Sequence, residues 1–144
     1  MFKNILPKET NLLRELYRAM LLVNDEVPRD VDVYCVDQNR GRARLQTREI
    51  SVPLRVLEQE YKDFASRTRY KGKVIQYLAH ELAHIAVVDM CEALQEPYPS
   101  DGHGEMFQLL LQKICPEEYQ HWELAYKMKQ AIAAGVSVSG LKDF

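Results

Sequence analysis

Residues 74–88 contain neither glycine nor proline and are rich in apolar side chains, among them Val74, Ile75, Leu78, Leu82, Ile85 and Val88. His80, Glu81 and His84 sit in the middle of that run. An unbroken stretch of this kind reads as helix, and its apolar flanks make the helix an interior one. Two imidazoles and a carboxylate are costly to bury unless something pairs with them, so the rest of the fold has to supply partners. Four residues advance an α-helix by about 6 Å and a little over one turn, so His80 and His84 point the same way, one above the other. Glu81 projects beside the pair. It is badly placed as a third ligand to an ion held by the two rings, but it reaches a water on that ion.

His80-Glu81-Leu82-Ala83-His84 has the HExxH form, in which two histidines hold zinc and the glutamate acts as general base. The bland alternative is a hydrogen-bonded pair of core histidines, and the chain has only four histidines with which to build either. The apolar setting favours the metal. A zinc ion that supports hydrolysis needs a third protein ligand and one open position. His103 is the leading candidate, in a stretch where Pro97, Pro99, Gly102 and Gly104 make a loop that lets the chain reverse over the clamp. Glu105 and His121 are its rivals. Flanking glycines and the frequency of imidazole as third ligand favour His103.

HELAH followed by His103-Gly104-x-x-Phe107 resembles the SprT-like and WLM (Spartan-related) group of minimal zinc metalloproteases. The likeness extends to the strand-like Glu49-Ile50-Ser51-Val52 and a short helix from Pro53, and spans about residues 8–125. It implies a zincin-like peptidase with Zn2+ on His80, His84 and His103, Glu81 as catalytic acid/base, and a protein or peptide as substrate. It is not metzincin-like. That pattern needs Gly and His where this chain has Val87 and Met90.

At 144 residues and 47% hydrophobic, the chain is expected to form one domain, with residues 136–144 as a loose tail. No apolar run approaches the length that spans a bilayer, and residues 1–7 are too short for a signal peptide, so the expectation is a cytoplasmic protein without membrane contact. Cys35, Cys91 and Cys115 are odd in number and scattered, which encodes neither a disulfide framework nor a zinc ribbon.

The expected fold is α+β: a small antiparallel sheet of about three strands against the active-site helix, with three to four further helices. Leu12, Leu13, Leu16, Tyr17, Met20 and Val23 mark a packing helix over residues 8–24, with Thr10 as its cap. Val31–Val36 and Ala43–Val52 read as strands joined by a hairpin turn at Asp37–Gly41. An exposed edge of that sheet near the metal is expected to pair with an extended substrate. Met106–Ile114 forms another helix, and Pro116-Glu117-Glu118 starts a last one.

Residues 40–73 carry ten Lys or Arg against four acidic residues, although the whole chain has net charge −2. Arg40, Arg42 and Arg44 in the hairpin are therefore candidate contacts for nucleic acid or an acidic substrate. A solvated outward face of a strand is the preferred reading of that segment. Tyr77, Tyr98, Tyr119, His121 and Tyr126 are all chemically able to steady an oxyanion. Asp89 and Asp101 either orient a ligand histidine or, the reading preferred here, close a helix end or loop. Beside the peptidase stand two other classes: a zinc-stapled structural or assembly component of a larger particle, and a DNA-associated protease.

Overall fold

Pro7 opens the first helix, α1 (Pro7–Val23), where its missing N–H costs nothing and its fixed φ suits the helix. The structure, a computed structural model, describes residues 5–38, 40–58 and 73–115. The expected helix from Pro116 and the expected tail at 136–144 lie outside the described residues, as do Tyr119, His121 and Tyr126. In chain order α1 is followed by β1 (Asp32–Val36), β2 (Arg42–Arg44) and β3 (Glu49–Pro53). Helix α2 is described over residues 54–58, and then come α3 (Lys73–Leu94) and α4 (Glu105–Ile114). The protein is an α+β fold built on a three-stranded mixed sheet.

Thr10 does not cap α1. Leu6 holds that position, and Thr10 lies buried in the helix, where its hydroxyl accepts the Cys35 N–H at 2.9 Å and pins α1 to β1. Ile5 also bridges to Val36, which covers the outer edge of β1. At the other end, the Asn24 side-chain amide donates to the carbonyls of Lys113 and Ile114, each at 2.9 Å. These are unpaired carbonyls at the end of α4, so one side chain closes one helix and ties it to another.

The sheet departs from the expected antiparallel hairpin. Its order is β1-β3-β2, with β1 parallel and β2 antiparallel to β3. Asp37–Gly41 is therefore a crossing that carries the chain from β1 past β3 to its far side. Gly41 is the residue that permits the crossing: a Cβ there would lie 2.1 Å from the Ser51 carbonyl oxygen and 2.8 Å from Pro53 Cδ. The hairpin falls instead inside the stretch read as one strand, with the turn at residues 45–48.

That turn contains no glycine, asparagine or proline, and Arg48 takes its left-handed position with φ 55°. Tertiary bonds to the same side chain offset the strain. The Arg48 guanidinium donates to both Asp89 carboxylate oxygens, at 2.6 and 3.3 Å, and to the backbone carbonyls of Arg29 and Asp30. Its own carbonyl accepts the Asp32 N–H at 3.0 Å. One residue thus joins the hairpin, the loop before β1 and α3.

The core lies between the sheet, α1 and α3. Val33 and Ile50, in register across β1 and β3, are fully buried, as are Leu13, Met20, Ile75 and Leu82. The three cysteines are buried and unbonded to one another. Burial pushes the Cys35 thiol up to about 12, with Glu9, Asp37 and Glu58 adding to the shift. Among the described residues no helix is long and apolar enough to cross a membrane.

Arg48→Ala is expected to lower stability by about 1–2 kcal/mol, since it removes a partly exposed bidentate pair and two bonds to carbonyls while keeping the unfavourable backbone. Arg48→Gly loses the same bonds but relieves the positive φ, so its urea midpoint should lie above that of Arg48→Ala. Equal midpoints would show that the left-handed conformation carries no cost.

Candidate metal centre

Helix α3 is buried around most of its circumference; the partial exceptions include Tyr77, His80, Glu81 and His84. These are spaced i, i+3, i+4 and i+7, which makes one stripe along the helix. The clamp expected from HExxH is thus a feature of a single half-buried face, with apolar packing on the flanks to hold the rings in place.

The chain then reverses. Gln95 adopts φ 56°, its N–H bonds to the Glu92 carbonyl, and the Glu96 N–H bonds to that of Cys91 at 2.9 Å. This pair of bonds is a Schellman closure, made here without the usual glycine. Asp101 shapes the return: its Oδ1 accepts the His103 backbone N–H at 3.0 Å and its carbonyl accepts that of Gly104. Gly104 then caps α4, and a Cβ there would press on the Asp101 carboxylate at 3.3 Å. Gly102 is less constrained, since a Cβ would meet only His84 Cε1 at 4.0 Å.

These turns bring His103 over the clamp. The donor atoms of His80, His84 and His103 all lie within 4.8 Å of one another. The Nε2 atoms of His80 and His103 are 3.3 Å apart. Ring centroids are separated by 5.1 Å for His80 and His84, 5.2 Å for His80 and His103, and 4.8 Å for His84 and His103. Phe107, almost fully buried, stands 4.5–5.0 Å from all three rings and forms a common apolar wall. Histidine is exposed at 103 and half-buried at 80 and 84, so the cluster is open on the loop side.

The donor set suits a metal ion. Metal–nitrogen bonds of 2.0–2.1 Å in a tetrahedron place donor atoms about 3.4 Å apart, which the His80–His103 separation matches. Burial lowers the His84 pKa to about 4, with His80 and His103 nearby adding to the shift. Burial, followed by His103, lowers that of His80 as well. Both rings are therefore neutral at pH 7, the form that binds metal. Three histidines close enough to hold a metal ion are a property of this structure.

Glu81 sits against the sheet. Burial raises its carboxyl to about 7, opposed by a hydrogen bond from the Ala43 N–H. Ala43 belongs to β2, the edge strand beside α3, and Arg42 turns its own N–H inward to Ser51 Oγ at 3.0 Å. The backbone N–H groups at 41 and 43 therefore point outward, by strand alternation. The Tyr77 hydroxyl lies against Gly41, where a Cβ would come within 2.3 Å of it. The sheet edge expected to await a substrate is thus partly engaged by two side chains of α3, a contact that strand periodicity alone could not reveal.

The remaining candidates fall as follows. Among the described residues the metal-ligand cluster does not include Glu105, which lies in the first turn of α4. Asp89 pairs with Arg48 and Asp101 serves the loop, so both act as structural carboxylates. Arg42 and Arg44 flank Ala43 on β2, and Ala43 packs on the core, so their side chains lie on the opposite face of the sheet. There Arg44 stands across from Glu49, while Arg40 and Arg42 are exposed. Comparison with known protein families, curated proteins and solved structures finds no match to this chain.

The two pKa shifts have opposite consequences for the metal-free chain. Glu81, raised from 4.5 to about 7, contributes stability below pH 4.5 that is lost as pH rises through 7. His84, lowered from 6.5 to about 4, contributes stability above pH 6.5 that is lost as pH falls through 4. Glu81→Gln is therefore expected to gain stability relative to the wild type as pH rises from 4.5 to 7 in the presence of a chelator. Urea midpoints that differ by a constant amount across that range would contradict the burial of Glu81.

Proposed function

We propose that this chain is a zinc-dependent metallopeptidase of the SprT-like kind. The observation that carries the reading is the convergence of His80, His84 and His103 from two separate segments, with Glu81 one residue along the same helix. Three imidazoles are a common donor set for zinc and leave a fourth position for water or substrate. When bound, the ion supplies Lewis acidity that brings a water towards neutral pKa and polarises the scissile carbonyl.

The side chains of the protein do the rest. Glu81, held high in pKa by burial, accepts the proton of the attacking water and delivers it to the leaving amine. Phe107 excludes solvent from one side of the rings and limits their rotation. Asp101 fixes the backbone from which His103 reaches the ion. A protein or peptide is the substrate class that suits this machinery. A purely structural zinc would call for a closed fourth position, and no fourth ligand joins the cluster among the described residues.

Purified protein is expected to hold one zinc ion per chain by elemental analysis, and His103→Ala to lose most of it. Glu81→Gln should keep the zinc while hydrolysis of a denatured protein substrate falls by about 10²–10⁴-fold. Hydrolysis unchanged by Glu81→Gln would remove the enzyme reading. Zinc retained by His103→Ala would remove the ligand assignment.

A further inference from the structure

The Tyr77 hydroxyl is not a metal ligand and lies one helical turn before Glu81, yet the edge of the sheet is built around it. A Cβ on Gly41 would come within 2.3 Å of that oxygen and 2.1 Å of the Ser51 carbonyl oxygen, so only glycine fits between helix and sheet at this point. Residues 77 and 81 are separated by about 6 Å along α3, and residue 41, just before β2, lies about 6.7 Å from residue 43 if the chain there is extended. The two spacings match. Two positions at the sheet edge therefore meet two successive turns of the helix: Gly41 the Tyr77 hydroxyl and Ala43 the Glu81 carboxyl.

We propose that Tyr77 is a positioning residue for Glu81: by seating its hydroxyl against the Gly41 backbone it fixes the height of β2 over α3, and so the place where Ala43 meets the Glu81 carboxylate. This rests on the peptidase reading only for its catalytic consequence. The mechanical link between Tyr77, Gly41 and Ala43 stands apart from it. A strand of three residues has little pairing of its own to resist displacement, since β2 is bonded to β3 on one side only. Tyr77 supplies a second anchor on the other side. Burial raises the pKa of the phenol, with the Glu81 charge adding and Arg55 opposing, so the hydroxyl stays protonated.

Tyr77→Phe keeps the ring and its packing while removing the hydroxyl that sits against Gly41, so the variant should fold. Hydrogen exchange of the zinc-loaded protein, followed by NMR, is expected to speed up about tenfold at the Gly41 and Ala43 amides. Exchange at Val33 and Ile50, buried partners across β1 and β3, and zinc content should remain as in the wild type. If the peptidase reading holds, kcat should fall about tenfold with KM changed less than about twofold, because the group that is misplaced acts on the attacking water. Exchange at Gly41 and Ala43 equal to the wild type would overturn the proposal, as would a rise in KM with kcat unchanged. Wild-type protein that hydrolyses nothing would sink the peptidase reading alone, and the exchange measurement would still decide the role of Tyr77.

Discussion

A half-buried polar stripe along a largely apolar helix is the constraint to which the rest of this fold answers. Tyr77, His80, Glu81 and His84 cannot turn to water without pulling Ile75, Leu78 and Leu82 out of the core. Each therefore needs a partner brought to it. The β2 edge comes to Tyr77 and Glu81 from one side, while the loop before α4 brings His103 and α4 itself brings Phe107 from the other. The sheet, the reversed turn at Gln95 and the Asp101 loop are means of delivering those partners.

The same stripe explains why the arrangement looks made for an ion. Metal-free, it holds the His80 and His84 rings, kept neutral by burial, and a carboxyl whose charge is disfavoured by burial. A divalent cation among the three rings would bond to their nitrogens and favour the ionised form of the adjacent carboxylate. Binding free energy gained in this way is also folding free energy. Stability and metal loading should therefore be read together in this protein.

Much of this was legible in the sequence, and the rest was not for identifiable reasons. Helical spacing and HExxH located α3 and the clamp, because periodicity and ligand spacing are local. His103 was legible as a candidate because glycines and prolines mark the reversal, although the structure assigns the shaping of that loop mainly to Asp101 and Gly104. The sheet was misread where turn chemistry is unconventional. Asp37–Gly41 carries hairpin residues but serves as a crossing, and the true hairpin turns at Arg48 with no residue that favours a positive φ. What stabilises that turn is Asp89, forty-one positions away, which no local pattern could show. Thr10 was misassigned for a similar reason, since its partner lies on β1.

Anomalous diffraction at the zinc edge from crystals of the zinc-loaded chain tests the central claim most directly. The account predicts a single strong peak bonded to one ring nitrogen each of His80, His84 and His103, with Phe107 against the rings and the Glu81 carboxylate outside bonding distance of the ion. A peak coordinated by Glu81 or by a fourth side chain in the open position, or one that leaves out His103, would contradict it.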